Sequence, residues 1–97
     1  MQIAELVELS AGIKLLQNYP NPFNPSTVIR FYVPASKYVQ LKIYNIMGQE
    51  IETLVDGSVP AGLHEFHWSP NGLSSGMYLC RMQAGRFADT KKLIYQK

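Results

Sequence analysis

A chain of 97 residues with a net charge of +2, 46% hydrophobic and only 16% charged, has room for one domain and too much apolar surface for a disordered tail. One cysteine, Cys80, excludes an internal disulfide, so packing and the hydrogen-bond ladder must hold the fold. No run approaches the roughly 18 apolar residues of a bilayer-spanning helix, and no extended basic stripe of the kind that binds nucleic acid is present.

Residues 1–12 read as a linker with a weak tendency to pair with a sheet edge. Ile3, Leu6 and Val7 suit one helical turn, Val7 and Leu9 suit a strand, and Gly12 breaks either pattern. The amino terminus has no basic start, apolar core or small-residue cleavage site. If the chain is exported, the signal for export sits on a longer precursor of which this is a piece, with the folded unit spanning residues 13–97. A short first strand is expected from Ile13 to Gln17.

Asn18 to Thr27, Asn-Tyr-Pro-Asn-Pro-Phe-Asn-Pro-Ser-Thr, is the most distinctive segment. Pro20, Pro22 and Pro25 each fix φ and remove a backbone donor, so the segment is neither a helix interior nor a central strand. The reading is a rigid, extended elbow that holds Tyr19 and Phe23 at a set separation. Two large aromatics argue for a packed element rather than a linker, because both profit from burial.

Thr27 to Val33 alternates, with Ile29, Phe31 and Val33 on one face, which predicts a half-buried strand. Pro34 to Lys37 reads as a turn into a second strand with Val39, Leu41 and Ile43 inward, the two forming a hairpin. After Gly48 a shorter strand runs from Gln49 to Val55 with Ile51 inward, and the adjacent Leu54 and Val55 signal a bulge. Asp56-Gly57 and Pro60-Ala61-Gly62 read as a surface loop. Leu63 to Trp68 follows with Phe66 and Trp68 inward, then Met77 to Gln83 with Tyr78, Cys80 and Met82 inward. Ala84-Gly85 is a tight connection, and Arg86 to Tyr95 is the last strand. Seven strands with recurring turn signals predict an all-β, Ig-like antiparallel β-sandwich. Phe31, Leu41, Phe66, Trp68 and Tyr78 are its expected fasteners.

The charge is unevenly spread. Arg81, Arg86, Lys91, Lys92 and Lys97 face only Asp89 in the final segment, whereas Glu5, Glu8, Glu50, Glu52, Asp56 and Glu65 all lie earlier. Two readings stay open for this positive end: an edge strand guarded by lysines, or a contact surface for an acidic receptor or lipid headgroup.

Reaction chemistry finds little support. His64 and His67, three apart in a strand, point to opposite faces and cannot share a metal through it. No Cys-x-x-Cys, His-Glu-x-x-His or Gly-rich phosphate loop occurs. Glu50 and Glu52 could share a strand face as glycosidase carboxylates do, yet read better as solvated charges. Cys80 reads as a buried small hydrophobe. The serines at 58, 69, 74 and 75 read as turn formers. Tyr32 and Tyr44, outward on adjacent strands, offer a platform for sugars or a cross-strand pair.

The proline segment, the run Thr27 to Val33, Leu41-Lys42-Ile43-Tyr44-Asn45-Ile46-Met47-Gly48-Gln49-Glu50, Pro60-Ala61-Gly62, Leu73-Ser74-Ser75-Gly76-Met77-Tyr78 and the terminal Lys91-Lys92-Leu93-Ile94-Tyr95-Gln96-Lys97 together resemble the C-terminal sorting domain of type IX secretion substrates, in its type A form. The pattern is also similar to the Ig-like domain of flagellar hook-capping proteins. The resemblance implies a non-catalytic tag without a cofactor, attached to an N-terminal cargo domain. It implies passage through the periplasm, recognition by the type IX translocon at the outer membrane, delivery to the cell surface or medium, and removal by a sortase. It places recognition motifs on Tyr19, Pro20, Asn21, Pro22 and Phe23, on Gly48, on Gly76 and Tyr78, and on Lys91, Lys92 and Lys97. An elbow of this kind would present the linker to a protease cutting before residue 18, and the cationic last strand would be captured by strand addition. Cys80 stands where the family more often has an aromatic or aliphatic residue. The alternative is an Ig-like spacer within a surface enzyme or appendage.

Overall fold

The computed structural model describes residues 12–97; the expected linker over 1–12 therefore falls, apart from Gly12, outside the described residues. Seven strands follow in order: β1 (Lys14–Leu15), β2 (Thr27–Val33), β3 (Lys37–Asn45), β4 (Glu50–Val59), β5 (Gly62–Trp68), β6 (Gly76–Ala84) and β7 (Phe87–Tyr95). They form two antiparallel sheets, sheet A with the order β1-β2-β5 and sheet B with the order β4-β3-β6-β7. The expected sandwich is the observed one.

Alternation sets the core. The odd residues of β2, β3 and β7 and the even residues of β6 face inward, and Ile29, Phe31, Val33, Val39, Leu41, Ile43, Cys80, Met82 and Leu93 are each 1% exposed or less. Burying a side chain of this size stabilises by about 1.5–3 kcal/mol, and this apolar layer does the work a disulfide does elsewhere. Of the expected fasteners, Phe31, Leu41, Trp68 and Tyr78 are buried, while Phe66 is only half-buried because β5 ends its sheet.

Four expectations change. β2 and β3 do not form a hairpin: β2 pairs with β1 and β5, β3 with β4 and β6. Residues 34–36 carry the chain from one sheet to the other. Alternation tells that a strand has one buried face, and that face is satisfied equally by a partner stacked across the core. Asp56-Gly57 is no loop but part of β4, paired with Gln40 and Val39. Gly57 carries no positive φ, so the turn-like dipeptide is held extended by its neighbour strand. Tyr32 and Tyr44 lie in different sheets, both half-buried, which removes both the shared sugar platform and the cross-strand pair. The bulge expected at Leu54-Val55 is present, since Leu41 pairs with Val55 but Lys42 with Thr53, and a second shift skips Ile51. The first strand is shorter than expected, reduced to Lys14 and Leu15.

Candidate functional site

Chain direction brings most of the singled-out residues to one end of the sandwich. There β2 starts, β5 ends, β6 starts and β7 ends, and the β3–β4 turn lies beside Tyr78, the partner of Asn45.

The proline segment is the first component, and it is not an extended elbow. Tyr19 and Val28 exchange backbone hydrogen bonds of 3.1 and 2.9 Å, closing residues 20–27 into a compact loop. The prolines supply no donors, so side chains do the stapling. Buried Asn18 donates to the Thr27 hydroxyl at 3.0 Å and to the Pro20 carbonyl at 3.2 Å, and the Thr27 hydroxyl donates to the same carbonyl at 2.8 Å. Asn18 and Thr27 are 3% and 1% exposed. Buried polar groups persist only when bonded in this way.

The closed loop then docks on β7. Asn21 turns its amide to the strand as a backbone would: its Oδ1 accepts from the Ile94 amide at 2.9 Å, and its Nδ2 donates to the Lys92 carbonyl at 3.3 Å. Gln17 donates to that carbonyl at 2.9 Å. Phe23 continues the pairing in parallel, donating to the Ile94 carbonyl at 2.9 Å and accepting from the Gln96 amide at 3.0 Å. The Phe23 ring, 2% exposed, stacks on Tyr95 at 5.4 Å and tilts against Trp68 at 5.9 Å, and Trp68 meets Tyr78 edge-on at 5.8 Å. Such pairs add about 0.5–1.5 kcal/mol each beyond their area. The two aromatics of the motif thus part company: Phe23 anchors the loop while Tyr19, 74% exposed, stands over a shallow depression lined by Val28, Arg30, Glu65 and His67.

The turn into β6 completes the end. Gly76, with φ of 149°, pairs with Tyr95; the Tyr78 hydroxyl donates to the Ser74 carbonyl at 2.7 Å, and the Lys97 amide donates to the Ser75 hydroxyl at 3.1 Å. Gly48 belongs to the β3–β4 turn, where the Asn45 Oδ1 accepts from the Met47 and Gln49 amides at 2.9 and 3.0 Å. Its φ of 83° is a conformation that side chains disfavour. The cations do not converge. Lys91 is half-buried and meets Asp89 at 3.6 Å, whereas Lys92 projects outward on the other face and enters the site through its carbonyl.

The recognition motifs leave out Gln17, Asn18, Trp68 and Tyr95, although Asn18 opens the proline segment, Tyr95 lies in the terminal run and Trp68 is an expected core residue. Gln17 and Tyr95 act through partners distant in sequence, on β7 and on Phe23.

The ionisable groups elsewhere have structural partners. Glu52 accepts from the Trp68 indole at 2.8 Å, while Glu50 binds the Thr53 hydroxyl at 2.6 Å and Lys42 at 3.3 Å, so the two carboxylates serve different neighbours. Thr53 and then Lys42 hold Glu50 below its usual range. The hydrogen bond between Tyr38 and Asp56 pushes the phenol up and the carboxyl down. His64 stacks on Phe31 at 5.0 Å and bonds the Pro60 carbonyl at 2.7 Å; His67 lies on the outer depression with Tyr19. Burial pushes the Cys80 thiol up to about 12, far from the thiolate form that reacts. Among the described residues no three His, Cys, Asp or Glu side chains gather as a metal site does.

Against known proteins, residues 17–96 match the family model described as a secretion system C-terminal sorting domain. No curated protein matches. Among solved structures, the crystal structure of dimeric latent PorU from Porphyromonas gingivalis is similar at a TM-score of 0.60 and 20% identity, over 87% of this chain and 9% of that one. At that identity the likeness carries the fold alone, and the chain spans a small part of the solved protein.

Proposed function

The chain belongs to the family of secretion system C-terminal sorting domains, and from that premise we propose that it acts as a non-catalytic, type A sorting tag of a larger cargo protein. Members of the family mark proteins for export by the type IX machinery to the cell surface or beyond. No helix of the described residues is long and apolar enough to cross a membrane. The cargo lies N-terminal to the tag, the translocon reads residues 13–97, and a sortase severs the linker. The Ig-like domain of hook-capping proteins is the structural cousin in this reading.

One observation supports the reading most: the Asn21 side chain and Phe23 bind the backbone of Lys92, Ile94 and Gln96. The two motifs at the ends of the domain thereby make one composite surface, displayed only when the domain is folded. Recognition of this surface distinguishes finished cargo from unfolded chain. Leu15 is 4% exposed and paired with Phe31, so cleavage that spares the fold acts upstream of Ile13 rather than directly before residue 18. In this reading Tyr19, Pro20, Asn21, Pro22, Phe23, Gly76, Tyr78, Lys91, Lys92 and Lys97 form or frame the surface, and Gly48 shapes the neighbouring turn.

The test fuses residues 13–97 behind a periplasmic reporter in a cell with a type IX system, beside the same fusion lacking 91–97. Surface delivery by the intact fusion and retention of the shortened one is the expected result; retention of both overturns sorting. The spacer alternative draws on one fact, that Ile13 packs by the turns at 34–37 and 84–87 while Lys97 lies at the other end beside Ser75, as suits a module in series. It predicts retention of the intact fusion.

A further inference from the structure

Each sheet edge is a row of unpaired amides and carbonyls that a protein must protect. Three edges of this sandwich are protected. β1 has only two residues. β4 carries two register shifts against β3, and bulges of this kind twist an edge away from pairing. β7 carries Lys91 and Lys92 and is overlain by Gln17, Asn21 and Phe23, with the Thr90 amide bonded to Asp89 at 2.8 Å. The last strand is thus largely closed to the strand addition its cations suggest.

β5 is different. It pairs with β2 over seven residues without a shift and has no lysine, proline or covering chain among the described residues. Leu16 bonds the Arg30 carbonyl, and Tyr19 bonds both backbone groups of Val28, so the even residues of β2 address the β1 side and the odd ones address β5. Gly62, His64, Phe66 and Trp68, partners of the odd residues, are therefore spent on β2. The backbone groups of Leu63, Glu65 and His67 face outward.

The core is also unsealed on this flank. Sheet A has three strands against four in sheet B, and the Trp68 bond to Glu52 places β5 beside β4. No residue of β4 reaches full burial. Ile51, Leu54, Val55, Val59 and Phe66 lean on the core but stay half-exposed, as they would if a strand were missing from sheet A. Charge selects among candidate strands. Glu65 is exposed on β5 with Arg30 opposite it on β2, and Glu52 reaches Trp68 from β4. Glu50 and Asp56 are instead held by Lys42, Tyr38 and Gln40 on the outward face of β3, so the acidic groups a new strand meets are Glu65 and Glu52.

We propose that the β5 edge is a docking site for an extended strand of a partner protein whose residues alternate between apolar and basic, and that this strand completes sheet A as its fourth member. Its backbone pairs with Leu63, Glu65 and His67. Its apolar side chains cover Phe66 and the inward side of β4, and its lysines or arginines meet Glu65. The proposal deepens the sorting reading by naming a surface the export machinery grips.

The probe is a synthetic peptide alternating valine and lysine, added to the 97-residue chain and followed by amide hydrogen exchange. New protection of the Leu63, Glu65 and His67 amides supports the proposal, and Glu65→Lys should weaken binding by about tenfold, as like charges meet across the pair. A valine–glutamate peptide should not bind. Protection at Ala88 instead, or no protection anywhere, overturns it. So does protection of those three amides without peptide, whether a dimer by light scattering shows a second copy there or loss of residues 1–11 frees the edge. In the export assay, Glu65→Pro removes an outward donor that no described residue uses, and near-ultraviolet dichroism of Trp68 reports its folding. Where that variant fails to fold, Glu65→Lys stands in. Wild-type export with loss in the variant supports the proposal, and equal export by both overturns it alone. Failure of the wild type defeats the sorting reading instead, leaving the peptide arm to decide the docking edge.

Discussion

Strand β7 closes sheet B with lysines and an overlying proline loop, whereas β5 ends sheet A with two histidines, a single glutamate and no covering chain among the described residues. The two flanks of one small sandwich thus meet the edge problem oppositely. On the β7 side an asparagine amide substitutes for a strand and an aromatic ring locks it in place. On the β5 side half-buried apolar groups remain next to free backbone. The difference teaches that an edge is closed by what folds over it as well as by the charges it carries, since β7 has both lysines and an overlying loop and β5 has neither among the described residues.

The sharpest way to break the contrast is to unlock the covered flank. Phe23→Ala removes a ring that is 2% exposed between Trp68 and Tyr95, and should cost about 3–5 kcal/mol in chemical denaturation. A loss below about 1 kcal/mol would mean that the loop rests on β7 without anchoring. Asn21→Ala comes next. It strips both side-chain bonds to β7 and should cost about 1–2 kcal/mol, with faster hydrogen exchange at the Ile94 amide as the local signature. Exchange at Ile94 equal to the wild type would contradict the capping role.

Glu65→Pro probes the open flank and should change stability by about 1 kcal/mol or less, since the lost donor has no partner among the described residues. A cost equal to that of Asn21→Ala would show that β5 is not a free edge. Throughout this series Cys80, buried with its thiol pushed up to about 12, should resist alkylation near neutral pH unless the whole domain opens, which separates local from global effects.

Acid gives the smallest effect. Asp56 and Glu50 titrate below their usual ranges because Tyr38 and Thr53 bond them. Their contribution is therefore present above the ordinary carboxylate range and is lost as pH falls through the depressed folded values. Both groups are exposed, so the expectation is a slight loosening of the β3–β4 pairing below about pH 4, read as faster exchange there than in β6. Uniform exchange across sheet B would remove the contrast.

Much of this molecule was legible in its residues. The alternation of Thr27 to Val33 matches β2 in its bounds and its inward face, because a period of two with large apolar groups permits little else. The crowding of Leu54 beside Val55 marks a bulge for the same geometric reason. Cys80, Tyr78 and Met82 face the core as their spacing requires. Pairing was less legible: β2 and β3 look like a hairpin until the 34–36 connection is seen to change sheets, and Asp56-Gly57 looks like a turn until Val39 and Gln40 hold it in a ladder.

The sequence by itself determined that the chain folds as seven strands and which faces of most of them are buried, since side-chain period acts within a few residues. Only the tertiary structure decided that the proline segment folds back onto β7, that Tyr19 is displayed while Phe23 is buried, and that β5 has no covering chain among the described residues. Those outcomes depend on hydrogen bonds between residues more than seventy positions apart, such as Asn21 to Ile94, and on a strand count that differs between the sheets. No local pattern encodes either, because a backbone amide finds its partner through the fold as a whole.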